Sequence, residues 1–165
     1  MRQIALFGIL GSLTFGVKVA MSGLPNIEPV SLMVMLFAVV FGWKALYPIY
    51  LYVFLEIWLY GIQLWNINYL YVWLILMLAA IAVRRLQNPL WWAALSGLFG
   101  LSFGFLCSFV YMAVDGFGYG IRWWLAGIGF DVTHCVGNFV IALVLFVPLR
   151  RLLQTLYQKM GYSLP

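Results

Sequence analysis

Charge is what this sequence has least of: charged residues make up 8% of its 165 positions, against 66% hydrophobic ones. Mean hydropathy is +1.05. A water-soluble globule needs far more polar surface than that, which sets soluble readings aside. Histidine occurs once, as His134, and no serine or cysteine sits in a motif marking an activated nucleophile, which argues against nucleophilic catalysis. Also missing are a glycine-rich loop followed by Lys-Ser or Lys-Thr and any polar portion large enough to bind and hydrolyse a nucleotide. Neither an enzyme activity nor a cofactor is expected. There are two cysteines, Cys107 and Cys135, both within apolar runs. Their expected depths differ by about five residues, roughly 7 Å of helical rise, a poor match to disulfide geometry, so two packed thiols are expected.

The polar punctuation separates apolar runs, and a helix needs about 20 apolar residues to cross roughly 30 Å of hydrocarbon. The pattern predicts an all-α membrane protein: one integral domain over 1–165, with about six transmembrane helices near 4–21, 29–42, 48–62, 69–83, 89–113 and 123–148. The second helix is too short to cross alone, so the loop leading into it is expected to dip into the membrane. Asn88-Pro89 reads as a cap followed by a first helical residue. The glycine-rich segment 115–120 reads as a turn. Beyond Pro148, Leu149, Leu152, Leu153, Leu156 and Met160 recur opposite Arg150, Arg151 and Lys159, which predicts a separate interfacial helix over 149–160. Residues 1–22 have the early Arg2 and small Ala20 and Ser22 of a secretory signal. Lys18 interrupts the place where a cleavage region should be small and neutral, so a retained first helix is expected.

The formal charge is +5, and the basic residues stand at helix ends instead of forming a stripe, so membrane topology and not nucleic acid explains it. With the N-terminus in the cytoplasm, Arg2, Lys44, Arg84, Arg85, Arg150, Arg151 and Lys159 all fall on the cytoplasmic side. Arg122 falls outside, and Lys18 near the outer end of the first helix. The positive-inside rule then places both termini in the cytoplasm.

On the last helix Asp131, His134 and Asn138 lie within an arc of about 60 degrees and form one polar stripe in the outer half of the membrane. Ionisable groups at that depth are functional candidates, since each is costly unless paired or hydrated. Two readings stand: the stripe fixes helix packing, or it binds a solute. The company of Asn26, Glu28, Glu56 and Asn68 on the same side favours an outward-facing pocket. Aromatic residues are 19% of the chain; an interfacial belt accounts for most of them, and Trp65 and Tyr111 are candidates for stacking on a planar ligand. Asp131 and His134 supply two metal ligands without a third fixed by spacing, so no metal site is expected.

Gly8, Ser12, Gly16 and Ala20 on the first helix, and Ser96, Gly100, Gly104 and Ser108 on the fifth, form seams of small residues that let helices approach closely in lipid. The fifth helix is expected to use its seam within the bundle, the first to offer it to a partner membrane protein.

Taken together with the segments Leu24-Pro-Asn-Ile-Glu-Pro-Val30 and Gly129-Phe-Asp-Val-Thr-His-Cys-Val-Gly-Asn138, the chain resembles a substrate-binding S-component of an energy-coupling factor (ECF) vitamin transporter, with similar motifs in members assigned to cobalamin or related corrinoids. Glu28 stands where many relatives have a neutral amide. The resemblance implies a subunit of the bacterial cytoplasmic membrane that captures a vitamin-class small molecule. It would dock through its first helix on an EcfT-like transmembrane coupling subunit and be powered by two cytoplasmic ATPases. A competing class is a scaffold similar to the rod-shape protein MreD, which needs no ligand pocket. A proton or ion pathway ranks behind both, because the last helix is apolar from Phe139 to Val147.

Overall fold

The computed structural model describes residues 1–24, 27 and 29–165. Among these the chain is helical, without strands: α1 is Arg2–Ala20, α2 Val30–Phe41, α3 Leu46–Tyr60, α4 Leu64–Ala82, α5 Pro89–Asp115 and α6 Phe117–Lys159, with one 3-10 turn at Gly42–Ala45 joining α2 to α3. Five stretches are long and apolar enough to cross a membrane: Arg2–Ala20, Val30–Tyr60, Leu64–Ala82, Pro89–Asp115 and Phe117–Lys159. The expected second and third helices thus share one stretch of 31 residues. The reason is that α2, with 12 residues, is about 18 Å long and does not reach across hydrocarbon alone.

α6 shows which solvent the fold is built for. Asp131, His134 and Asn138 are 5%, 3% and 2% exposed, whereas Phe130, Val132, Val136 and Val140 are 61%, 49%, 59% and 51% exposed. In water that helix would be inside out. In hydrocarbon the apolar face meets lipid and the polar stripe must find partners in the bundle. α2 lies at the centre, packed chiefly on α4 and α6, and every residue of it except Met33 is buried. α1 lies at the edge, packed mainly on α3.

Several helix ends meet at one end of the bundle. Gln3 of α1 donates to the Tyr157 hydroxyl of α6 at 2.6 Å. The Phe7 ring meets Phe41 at the end of α2 (5.1 Å), and Trp92 at the start of α5 stacks on Phe146 of α6 (4.2 Å). Lys18, Glu56 and Tyr69 meet at the opposite end.

Local chemistry sets most boundaries. The Asn88 side chain accepts from the Leu90 amide at 2.9 Å with Pro89 just inside α5, as the Asn-Pro pair predicts. α4 begins earlier than expected. Gln63 and Asn66 form a reciprocal capping box, which turns the expected loop over 63–68 into the first turn of α4. The expected glycine-rich turn over 115–120 shrinks to Gly116, whose φ of 92° breaks the helix, and Phe117 already starts α6.

The expected interfacial helix over 149–160 is not separate. α6 runs through Pro148 to Lys159 as 43 residues, about 64 Å, roughly twice the hydrocarbon thickness. An internal proline removes one backbone hydrogen bond. Tertiary contacts beyond it offset the loss: Leu153 and Tyr157 are buried, and the Tyr157 ring packs on Phe41 (5.0 Å) and Tyr162 (4.9 Å).

Candidate functional site

The polar stripe of α6 faces α5, where the seam of small residues makes room for it. Ser96, Gly100, Gly104 and Ser108 are all buried, as expected for a seam used inside the bundle. A Cβ at Gly100 would stand 2.8 Å from the His134 backbone, so the two helix axes approach as closely as glycine permits. At Gly104 the backbone amide donates to Asp131 Oδ1 at 2.9 Å. Asp131 Oδ2 is buried without a hydrogen-bond partner among the described residues, although the Trp124 side chain lies within interaction range of the carboxylate. Asn138 donates to the Ser31 hydroxyl at the start of α2 (2.9 Å) and to the Ser96 carbonyl (3.3 Å). His134 packs edge-on against Phe103 with ring centres 5.0 Å apart, and its Nε2 is buried without a hydrogen-bond partner among the described residues. Ser31 and Ile27 both lie beside α6, Ser31 bonded to Asn138 and Ile27 lining one open depression with Val136 and Val140.

A second polar group stands across the bundle. Glu56, the single charged residue of α3, is 0% exposed. Lys18 of α1 donates to its Oε2 at 2.9 Å and to the Tyr69 hydroxyl at 3.1 Å. The ammonium also stands over aromatic faces, 4.9 Å from the Tyr69 centroid and 5.7 Å from those of Tyr52 and Trp65, where ring quadrupoles stabilise it. Glu56 Oε1 has no hydrogen-bond partner among the described residues. Lys18, Glu56, Tyr60, Trp65 and Tyr69 line a cavity of about 270 Å³.

The two polar groups are bridged by rings. Tyr69 packs against Trp73 (5.4 Å) and Phe103 (6.5 Å), Tyr52 meets Trp73 (6.2 Å), and Phe103 in turn contacts His134. Trp73 is fully buried and its indole Nε1 lacks a hydrogen-bond partner among the described residues. The interior between α1, α3, α4, α5 and α6 is therefore aromatic, with hydrogen-bonding atoms of Glu56, Trp73 and His134 left open.

The residues expected to converge do so only in part. Glu56 and Trp65 share the cavity, and His134 reaches it through Phe103. Asp131 and Asn138 are instead engaged by α5 and α2. Asn68 is buried and accepts from the Tyr71 hydroxyl at 3.0 Å. Tyr111 is stacked on Trp123 at 4.3 Å, in the α5–α6 hairpin, away from Lys18. Asn26 and Glu28 lie outside the described residues. Sequence reasoning missed Lys18, Tyr52, Tyr69 and Trp73 as site residues; the one available signal was Lys18, a charge isolated in the apolar second half of α1.

On α1 the Gly8, Ser12, Gly16 and Ala20 seam forms a shallow open face together with Ala5, Ile9, Leu13 and Val17. A Cβ at Gly8 or Gly16 would meet nothing within 4 Å among the described residues, whereas one at Gly11, on the buried face with Phe7 and Thr14, would stand 2.8 Å from the Pro48 carbonyl oxygen. The face that packs in the bundle is thus distinct from the face of the seam. Cys107 and Cys135 are free thiols. The fold and site define the chain as a helical protein fitted to a membrane. No family model, no curated protein and no solved structure matches it.

Proposed function

We propose that this chain is the substrate-capture subunit of an ECF-type importer in the bacterial cytoplasmic membrane, crossing it six times with both termini in the cytoplasm and taking a vitamin or vitamin precursor from outside. Six crossings follow if the Gly42–Ala45 turn separates α2, with its leading loop, from α3 as two passes. The observation that carries the reading is the aromatic interior between the Lys18–Glu56 pair and His134, where Glu56 Oε1, Trp73 Nε1 and His134 Nε2 are buried with no hydrogen-bond partner among the described residues. Each such atom is costly until something bonds it, and a planar solute with donors and acceptors on its rim is what such a box accommodates. The open small-residue face of α1 supports docking on an EcfT-like coupling subunit powered by two cytoplasmic ATPases.

The cavity of about 270 Å³ at Glu56 lies just below the usual range of ligand-site volumes, roughly 300–1,000 Å³, and has room for no more than a single ring system. A corrinoid, the solute the resemblance implies, requires the aromatic cluster to part. The engagement of Asp131 by Gly104 and of Asn138 by Ser31 favours the second reading, an MreD-like scaffold in which buried polar groups only fix packing. Mass spectrometry of small molecules that co-purify with the intact chain separates the two. A stoichiometric vitamin-sized solute, lost in Glu56→Gln, is the expected result; an empty protein that binds none of the vitamins offered to it would remove the capture reading.

A further inference from the structure

At the end of the bundle opposite Lys18, two parts of the chain far apart in sequence bring arginines together. The Arg150 guanidinium on α6 donates to the Leu86 carbonyl at 3.2 Å and to the Arg84 carbonyl at 3.4 Å, just past the end of α4. It also stands 6.0 Å from the Trp92 ring, whose indole donates to the same Leu86 carbonyl at 3.1 Å. Arg150 is thereby pinned onto the α4–α5 turn, and the neighbouring Arg85 and Arg151 are exposed beside it. Four positive charges gather in one place. No acid is placed there among the described residues: Glu56 belongs to the Lys18 end, and Asp115 and Asp131 belong to the α5–α6 hairpin and the stripe.

Membrane orientation alone requires net positive charge in the loops, not the convergence of two segments held by backbone carbonyls. Like charges brought this close repel unless an anion lies between them, and guanidinium forks match phosphate oxygens. Leu90, Trp91 and Leu152, at 55%, 60% and 55% exposure, are close in sequence to these arginines and supply apolar surface for acyl chains. We propose that Arg84, Arg85, Arg150 and Arg151 form a binding site for an anionic phospholipid carrying two phosphates, of the diphosphatidylglycerol class, in the leaflet at this end of the bundle. The site is independent of the transport reading.

The test is lipid titration of the delipidated full chain in detergent, followed by native mass spectrometry. Diphosphatidylglycerol is expected to bind at least tenfold more tightly than phosphatidylcholine, and Arg85→Gln with Arg151→Gln to abolish the difference. Those side chains are exposed and carry none of the Arg150 contacts; Arg85→Gln alone, expected to reduce the preference, serves if the double variant does not purify. Arg122→Gln, in the α5–α6 hairpin, is expected to keep the preference. Unchanged preference in the double variant would overturn the site. So would its equal loss in Arg122→Gln, which reads as charge alone, or displacement of the lipid by an equal concentration of pyrophosphate, which assigns the arginines to a soluble anion.

Discussion

The Gly104 amide, in the middle of α5, donates to Asp131 Oδ1 of α6 at 2.9 Å, a bond between two helices that only the absence of a side chain at position 104 permits. A Cβ there would stand 2.5 to 2.9 Å from the carboxylate atoms. Gly104→Ala is expected to destabilise the protein by about 2 kcal/mol, as overpacking of a tight core does. Gly8→Ala, on the open face of α1, is expected to leave stability unchanged or slightly raised. Thermal unfolding of both variants in detergent measures the contrast, and equal losses would contradict the difference between the two seams.

The Lys18–Glu56 pair gives a second prediction. Glu56→Leu leaves the Lys18 ammonium without its carboxylate in a largely apolar site, at a cost of about 2 kcal/mol, toward the low side for a buried pair because the lysine side chain is 19% exposed. Lys18→Met combined with Glu56→Leu is expected to recover at least half of that loss, since neither charge then remains. A double variant no better than Glu56→Leu alone would mean that the ammonium is stabilised chiefly by the surrounding rings.

Asn138 ties α6 to α2 and α5 through Ser31 and the Ser96 carbonyl. Asn138→Ala is expected to cost about 1–2 kcal/mol by leaving buried groups unpaired. Ser102→Ala serves as control and is expected to change stability little, because the Ser102 hydroxyl donates to the Leu98 and Phe99 carbonyls of its own helix. Chemical unfolding in mixed micelles compares the two.

Topology is testable in intact cells. A cysteine in place of Asp115 is expected to react with a membrane-impermeant maleimide from outside, and one in place of Gln87 only after permeabilisation. The native thiols should stay silent, Cys107 being buried and Cys135 half-buried at the level of the α6 stripe. Labelling of both introduced cysteines from the same side would remove the proposed orientation.

Docking through α1 predicts a separation of functions. Gly16 lies on the open face of α1, where an added Cβ meets nothing within 4 Å among the described residues, so in Gly16→Leu ligand binding by the purified chain should be intact while uptake in cells is blocked. Normal uptake would exclude that face as the partner surface.

Much of the bundle was legible in the sequence because its causes are local. Apolar runs long enough to cross a bilayer marked the helices, Asn88-Pro89 marked the start of α5, and a period of four placed small residues on one face of α1 and of α5. The polar stripe was legible as a stripe, since three polar positions on one helix face follow from helical pitch alone. Its partners were not legible. Nothing in the residues around Asp131 says that a backbone amide of α5 will meet it, or that the side chain of Ser31 will engage Asn138.

The sequence by itself determined that this chain is helical, that hydrocarbon is its solvent, and where nearly all of its polar side chains fall along each helix, because helical periodicity and transfer free energy act residue by residue. Tertiary structure alone decided that α6 continues through Pro148, that Lys18 joins Glu56 across an aromatic interior, and that Arg150 lies on the α4–α5 turn. Each depends on groups far apart in the chain coming within a few ångströms, and the energy of such a meeting, unlike a helical pitch, is written in no single segment.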